Sequence, residues 1–331
     1  MDWNKSHKFI GMSFRIFFMV IFSLLINGCG IKPNSNQLNL VMPGDPKSLD
    51  PAYATDVRTG QLCALLYDNL VRFGNGAEIL PGLSETWEIS SDGLEYYFQL
   101  KDSVIFQNNK SLECIDIKKS FERILDPATN SHRKWLFKNV KGALLFSAGN
   151  TQSVDGFVCL DNQNFKIILN QPFAPFLGFL AMPSASIIHV TENNNIVGTG
   201  PWKLREWIHD GHLLFDRNEN YFDGVPQLET LKFRILPESL PRSAEFVTGY
   251  LDIMEVPESE FPMWANDPLW GSNIHYQDDL NIFYLGLNCS RAPFNNVEVR
   301  KAINYAIDVQ LIINQVKNGN AIAASGPIPP G

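Results

Sequence analysis

No run of lysine or arginine interrupts this 331-residue chain, and its 27 basic residues fall short of its 35 acidic ones. The net charge of −8 repels phosphate backbones, so nucleic acid is not an expected partner. A G-x-S-x-G nucleophile turn is missing, and no histidine has a cysteine or serine at catalytic spacing, so no enzymatic chemistry is legible. The cysteines, Cys29, Cys63, Cys114, Cys159 and Cys289, form no C-x-x-C pair and none stands near a histidine. His209-x-x-His212 could contribute to a metal site, but no further ligands are spaced to complete one, so neither metal nor cofactor is expected. Asp278 and Asp279 are adjacent in an extended stretch and point to opposite sides, which excludes a paired-carboxylate dyad.

A membrane-spanning run is also absent. The apolar run from Ile16 to Ile26, broken only by Ser23, falls short of the about 20 residues a transmembrane helix needs. Lys5, Lys8 and Arg15 precede it and Asn27-Gly28-Cys29 ends it, so residues 1–28 read as a signal peptide. Leu25, Ile26 and Gly28 before Cys29 resemble a lipobox, in which the thiol of Cys29 is lipidated; a simple signal peptide or a short anchor are the alternatives. Export is expected in each case. Cleavage before Cys29 removes Lys5, Lys8, Arg15 and Asp2 and takes the net charge to −10. For the other four cysteines, Cys114 with Cys159 is the local candidate disulfide pair, and small buried thiols are the favoured reading.

What is present is alternation. Residues 29–37 are polar, a tether, and Leu38 to Met42 reads as a strand that Pro43-Gly44-Asp45-Pro46 cannot continue. Leu62, Leu65, Leu66, Leu70 and Phe73 predict a helix over 59–73. Trp87 and Ile89, then Leu94, Tyr96 and Phe98, alternate on either side of Asp92-Gly93, a hairpin. Asp116 is placed to cap a helix whose buried stripe is Ile117, Phe121, Ile124 and Leu125, stopped by Asp126-Pro127. Val154–Leu160 with Phe165–Leu169 reads as a second hairpin and 172–181 as an apolar helix. Further on come a strand over 228–236, a helix over 242–250, a buried strand over 280–287 and a helix over 297–316.

The chain is organised around Val197 to Gly224. Gly198 and Gly200 permit a tight entry, Trp202–Trp207 and His212–Asp216 alternate, and His209-Asp210-Gly211 turns between them. A G-x-G could cradle phosphate, but Pro201 removes an amide and no helix with Lys-Ser/Thr follows, so a plain turn is favoured.

This stretch, G-T-G-P-W-K-L…E-W…R-N-E-N-Y-F-D-G, resembles the signature of family 5 extracellular solute-binding proteins, the oligopeptide, dipeptide and nickel receptors of ABC importers; Phe222 stands where tryptophan is usual. Supporting matches are P-G-L-S-E-T-W-E-I-S-S-D-G-L-E-Y-Y-F-Q-L-K from Pro81, Asp116 through Pro127 with Arg123, and Val299 to Asp308. Asn108-Asn109 and Tyr250 depart from the family pattern.

The resemblance implies an α/β fold of the periplasmic binding protein-like class II, two-lobed with mixed sheets, whose second ligand lobe is incomplete because G-P-I-P-P-G ends the chain where the family enters its third domain. The implied division is 38–75 with 186–285 as the first lobe, 76–185 as a smaller inserted domain, and 286–331 as the start of an incomplete third. The helix over 297–316 is then expected to carry an apolar face with little to cover it, an aggregation hazard or a partner surface. The implied function is a lipid-anchored, monomeric receptor at the periplasmic face, capturing extended oligopeptides by main-chain hydrogen bonds and delivering them to permease and ATPase subunits. Nickel or dipeptide as ligand, or a truncated, non-binding remnant or surface scaffold, are the alternatives. Cleft candidates are Asp45, Pro46 and Lys47 in the loop beside S-L-D-P, Trp135 with neighbouring Arg133 and Lys134, and Glu255 with Val256.

Overall fold

The computed structural model describes residues 36–76, 78–276 and 281–327. The expectations for the signal peptide, Cys29, nearly all of the tether and Asp278-Asp279 lie outside the described residues.

Strand β1 (Gln37–Met42) stops at Pro43, and helix α1 (Val57–Leu66) begins where the Asp56 side chain accepts the Thr59 amide at 3.0 Å. The expected helix over 59–73 ends early. The Leu66 carbonyl accepts the Gly200 amide at 3.0 Å and the Gln107 side-chain amide at 3.2 Å, so tertiary donors take the place of a further helical turn. Leu70 is therefore outside the helix, and Phe73 closes strand β2 (Val71–Phe73), which pairs antiparallel with β3 (Ile79–Pro81).

The hairpin of β4 (Ser84–Ile89) and β5 (Glu95–Leu100) forms as expected, with Trp87 opposite Phe98 and Gly93 at φ +70° in the turn. Helix α2 (Cys114–Leu125) buries the expected stripe. Its cap is a correction: Glu113 is the N-cap, and Asp116 sits one turn in, its carboxylate accepting the Glu113 amide at 3.0 Å. Short helix α3 (Ala143–Ser147) precedes β6 (Phe157–Cys159) and β7 (Asn164–Ile168), and the antiparallel sheet runs β4-β5-β7-β6. Its inner face packs on α2 through Phe121, whose ring lies 4.6, 5.4 and 6.1 Å from Phe137, Phe157 and Phe165. Each fully buried phenylalanine contributes roughly 1.5–3 kcal/mol.

Cys114 and Cys159 form a disulfide with Cα atoms 5.7 Å apart, tying the start of α2 to β6. The thiol reading is thus overturned for this pair, because residue 159 of one hairpin arm and the first turn of α2 converge on the same layer. It holds for buried Cys63 and not for Cys289, which is exposed.

Helix α4 (Phe176–Leu180) and the small pair β8 (His189–Val190) and β9 (Ile196–Val197) lead to β10 (Trp202–Ile208), β11 (His212–Arg217) and β12 (Thr230–Ile235). These join β1 in a sheet of order β1-β12-β11-β10, and Met42, Trp202, Leu213, Phe215 and Leu231 pack with Leu62 and Leu66 of α1.

After β12 come α5 (Ser239–Val247), α6 (Phe261–Ala265), α7 (Val297–Ala306) and α8 (Val309–Gln315). Two expectations fail here. Residues 281–287 belong to no strand, and Phe283 and Tyr284 are 79% and 82% exposed, because no described strand lies beside them to satisfy a ladder. The single helix over 297–316 breaks at Ile307-Asp308, where the Asp308 side chain accepts the Leu311 amide at 2.8 Å and caps a new helix.

Candidate functional site

The segment from Pro43 to Asp56 is a ribbon outside any strand or α-helix, with one short 3₁₀ turn at Pro51–Tyr53. Prolines 43, 46 and 51 keep it from joining a ladder, and side-chain hydrogen bonds hold it at three places.

The first is Asp45. Its carboxylate accepts the Trp207 indole N–H at 3.0 Å and the Asp210 amide at 2.7 Å, and His209 Nδ1 lies 3.5 Å away. Burial pushes the Asp45 carboxyl up, but these hydrogen bonds and the His209 charge outweigh it and leave the group below its usual range. Asp210, at φ +55° in the β10–β11 turn, aims its amide at the ribbon.

The second is Asp50. Both oxygens take the Arg123 guanidinium, at 2.9 and 2.5 Å, and one also accepts the Ala52 amide at 3.0 Å. The Leu49 carbonyl accepts the Tyr67 hydroxyl at 3.0 Å beside the Cys63 thiol, which burial, with Asp50 and Asp56 adding, pushes up to about 12. That thiol is inert.

The third is the junction with residues 129–135. Tyr53 donates to the Thr129 carbonyl at 2.8 Å, Ser131 to the Ala52 carbonyl at 2.5 Å, and Ala54 accepts Arg133 Nε at 2.8 Å and the Ser184 hydroxyl at 3.0 Å. Trp135, 39% exposed, stands edge-on to Phe179 at 5.0 Å. Among the described residues, none of the amides of Gly44, Asp45, Lys47 and Ser48 donates a hydrogen bond. The ribbon is fixed by its side chains while much of its main chain is left open.

The cleft candidates divide accordingly. Asp45 is turned inward, Pro46 is buried and Lys47 is exposed, attracted to Asp56. Trp135 reaches the same ribbon through Arg133 and Ala54. Exposed Glu255 and half-buried Val256 follow Asp252, which is tied instead to β1: its carboxylate accepts the Asn39 amide at 2.6 Å and its own amide donates to the Asn39 carbonyl at 2.9 Å. No described contact joins them to Asp45 or Trp135. Sequence reading missed Thr129 and Ser131, which carry no motif of their own.

The glycines of G-T-G serve close approach. A Cβ on Gly198 would lie 2.0 Å from the Leu66 carbonyl oxygen, and one on Gly200 2.4 Å from its carbon. Gln107 threads the same corner, donating to the carbonyls of Gly200 at 3.1 Å and Trp202 at 2.8 Å. Half-buried Asp68 accepts the hydroxyls of Thr199 at 2.7 Å and Tyr221 at 3.1 Å, and desolvation raises its pKa despite them. The stretch 197–224 is thereby a scaffold under α1 and the ribbon. His209 and His212 face different carboxylates, Asp45 and Glu206, and among the described residues no group of three or more His, Cys, Asp or Glu is arranged to hold a metal ion.

Residues 78–331 match the model of the bacterial extracellular solute-binding proteins, family 5, middle region. The chain belongs to this family. It is 32% identical over 291 residues to heme-binding protein A of Haemophilus influenzae, covering 80% of this chain and 51% of that one. It is 30% identical over 312 residues to the dipeptide-binding protein of Escherichia coli, covering 87% and 57%. Among solved structures, an OppA of Burkholderia pseudomallei superposes with a TM-score of 0.79 at 19% identity, over 90% of this chain and 61% of the other. DppA of Helicobacter pylori, solved with the peptide STSA, gives 0.74 at 28% identity, over 89% and 60%. The fold is therefore that of the periplasmic binding proteins, α/β with mixed sheets, and the family is one of solute-binding proteins rather than enzymes. The chain spans about half to three fifths of the length of these relatives.

Proposed function

We propose that this chain is the substrate-binding component of a peptide ABC importer, capturing extended oligopeptides through main-chain hydrogen bonds along the 43–56 ribbon. The observation that carries the reading is the ribbon itself. The amides of Gly44, Asp45, Lys47 and Ser48, unpaired among the described residues and held in place by Asp45 and Asp50, offer donors that any peptide's carbonyls can use. Preorganisation matters because a ligand's lost freedom must be offset by contacts that need no further ordering. Relatives carrying the names dipeptide-binding and oligopeptide-binding protein agree with this class of ligand.

In this reading Lys47, Trp135, Glu255 and Val256 line the cleft, and Cys29 carries a lipid that holds the exported protein at the periplasmic face, beside permease and ATPase subunits. In this reading 286–331 begins a third domain, and the separation of 76–185 from 38–75 with 186–285 is supported by two apolar clusters, one centred on Phe98 and Phe121, the other on Leu62 and Phe215. A dipeptide or nickel ligand would call for a smaller or metal-bearing site on the same frame. A second reading, a non-binding remnant or scaffold, is favoured by the exposure of Phe283, Tyr284 and Tyr305.

The test is a native mass spectrum of the full chain carrying Cys29→Ser after incubation with a mixed peptide pool. A narrow, low-charge envelope with peptide-sized adducts is expected. A broad, highly charged envelope without adducts overturns the receptor reading in favour of the remnant. Metabolic labelling with an alkyne fatty acid, lost in Cys29→Ser, tests the anchor.

A further inference from the structure

We infer that Arg133 forms a carboxylate-binding subsite at the end of the ribbon, selecting ligands that carry an acidic group next to the peptide main chain; this rests on the receptor reading above. Of the ten arginines of the described chain, those at 72, 123, 205, 217 and 234 have carboxylate partners. Those at 58, 133, 242, 291 and 300 have none among the described residues, although the protein is acidic overall. What distinguishes Arg133 is that it is anchored on the ribbon beside an aromatic ring.

Its guanidinium is nevertheless fixed. Nε donates to the Ala54 carbonyl at 2.8 Å, which leaves the two terminal nitrogens without a hydrogen-bond partner among the described residues. The Arg133 amide donates to the Ser131 hydroxyl oxygen at 3.0 Å, and that hydroxyl donates to the Ala52 carbonyl, so backbone and side chain are both pinned to the ribbon. The guanidinium carbon lies 6.0 Å from the centre of the Trp135 ring, which Phe179 holds edge-on. A planar fork with its donors open, oriented by a carbonyl behind it and an aromatic beside it, matches the geometry of a carboxylate and lowers the ordering cost of gripping one. The half-exposed ring of Trp135 flanks the position and reduces competition from water. The acid can be a Glu or Asp side chain or a C-terminal carboxylate.

The experiment follows the arginine Nε–Hε signals of the ¹⁵N-labelled full chain with Cys29→Ser, the Arg133 signal being assigned by its loss in Arg133→Gln. N-acetylglutamate should move that signal and N-acetylglutamine should not. In peptide titrations, Glu→Gln in the ligand should weaken binding about tenfold for the parent protein and leave Arg133→Gln unaffected, as a charge-assisted bidentate contact predicts. Ligands amidated at the C-terminus separate the two sources of carboxylate. Lys134→Gln, which removes the same charge one residue on, should cost less than half that factor, and near-ultraviolet dichroism verifies that each variant folds.

An Arg133 signal blind to N-acetylglutamate overturns the subsite whatever peptides bind, and so does an equal loss in Lys134→Gln, which would assign the effect to a diffuse field. A responsive Arg133 signal in a protein that takes no peptide from the pool leaves the subsite standing and removes the peptide-receptor reading.

Discussion

Residues 38–235 and 236–327 both carry helices with apolar residues at helical spacing, yet only the first region buries most of them. Among the buried apolar side chains of the described residues, Leu251, Trp264 and Ile313 alone lie after Ile235. Helix α2 buries Ile117, Phe121, Ile124 and Leu125, while α7, with its own apolar residues at helical spacing, buries none and leaves Tyr305 87% exposed. Helical periodicity states which face would be buried if a partner were at hand. It does not supply the partner.

The sharpest test of this contrast is in the first region. Phe121→Ala opens a cavity among Phe137, Phe157 and Phe165 and should lower stability by about 3–5 kcal/mol, read as a drop in the denaturation midpoint. Next is the disulfide. Replacing Cys114 and Cys159 together by serine frees a loop with a sequence separation of 45 residues and should cost roughly 2–4 kcal/mol. A cost near zero for both would mean that the sheet-and-α2 layer contributes little to global stability and that the contrast is one of appearance only.

How much the sequence disclosed varies within the first region as well as between the two. Hairpins at Asp92-Gly93 and Asp210-Gly211 and the stripe of α2 were legible because each is decided by neighbours within a few residues. The end of α1 was not, since the donor that takes the Leu66 carbonyl comes from Gly200 in a distant strand entry. Asp45 could be nominated from its loop, but its engagement depends on Trp207, 162 residues away. Residues 281–287 have strand composition and no described strand to pair with, a tertiary fact that no local pattern records. Arg133 could be noticed beside Trp135, whereas its open fork follows from the Ala54 carbonyl, which only the fold brings there.

A smaller effect is expected from pH, and its sign differs between two parts of the packed region. Asp45 and Asp56 are held below their ordinary carboxyl value of 3.8, so their contribution is complete above the unfolded value and is lost as pH falls through the folded one, below about pH 4. Asp68, raised by burial, works in the opposite sense: its protonated form favours the fold, and that contribution fades as pH rises through its folded value. The Trp207 indole N–H resonance and exchange of the Asp210 amide report the Asp45 clamp directly. Both should change on acidification, and Asp45→Asn should flatten the response. An unchanged profile in that variant would show that the ribbon is held by Asp50 and Ala54 without Asp45.

The smallest effect on stability should come from the exposed region, and it decides whether the contrast holds in solution. Phe283 and Tyr305 have little to lose, so Phe283→Ser with Tyr305→Ser should change the unfolding free energy by no more than about 0.5 kcal/mol. Self-association should fall at the same time, because exposed aromatics of this density are a route to aggregation, and sedimentation velocity reads that directly. Phe283 has one notable neighbour, the Lys317 ammonium at 3.7 Å from its ring centre, and Lys317 also pairs with Glu258, so part of any small loss would come from this cation–π contact. Lys317→Met separates the two contributions, since it removes the cation and keeps the aromatic surface. A loss of several kcal/mol in the double serine variant would mean that residues 281–306 are covered in solution, and the difference between the two regions would then lie in what surrounds the chain rather than in the chain.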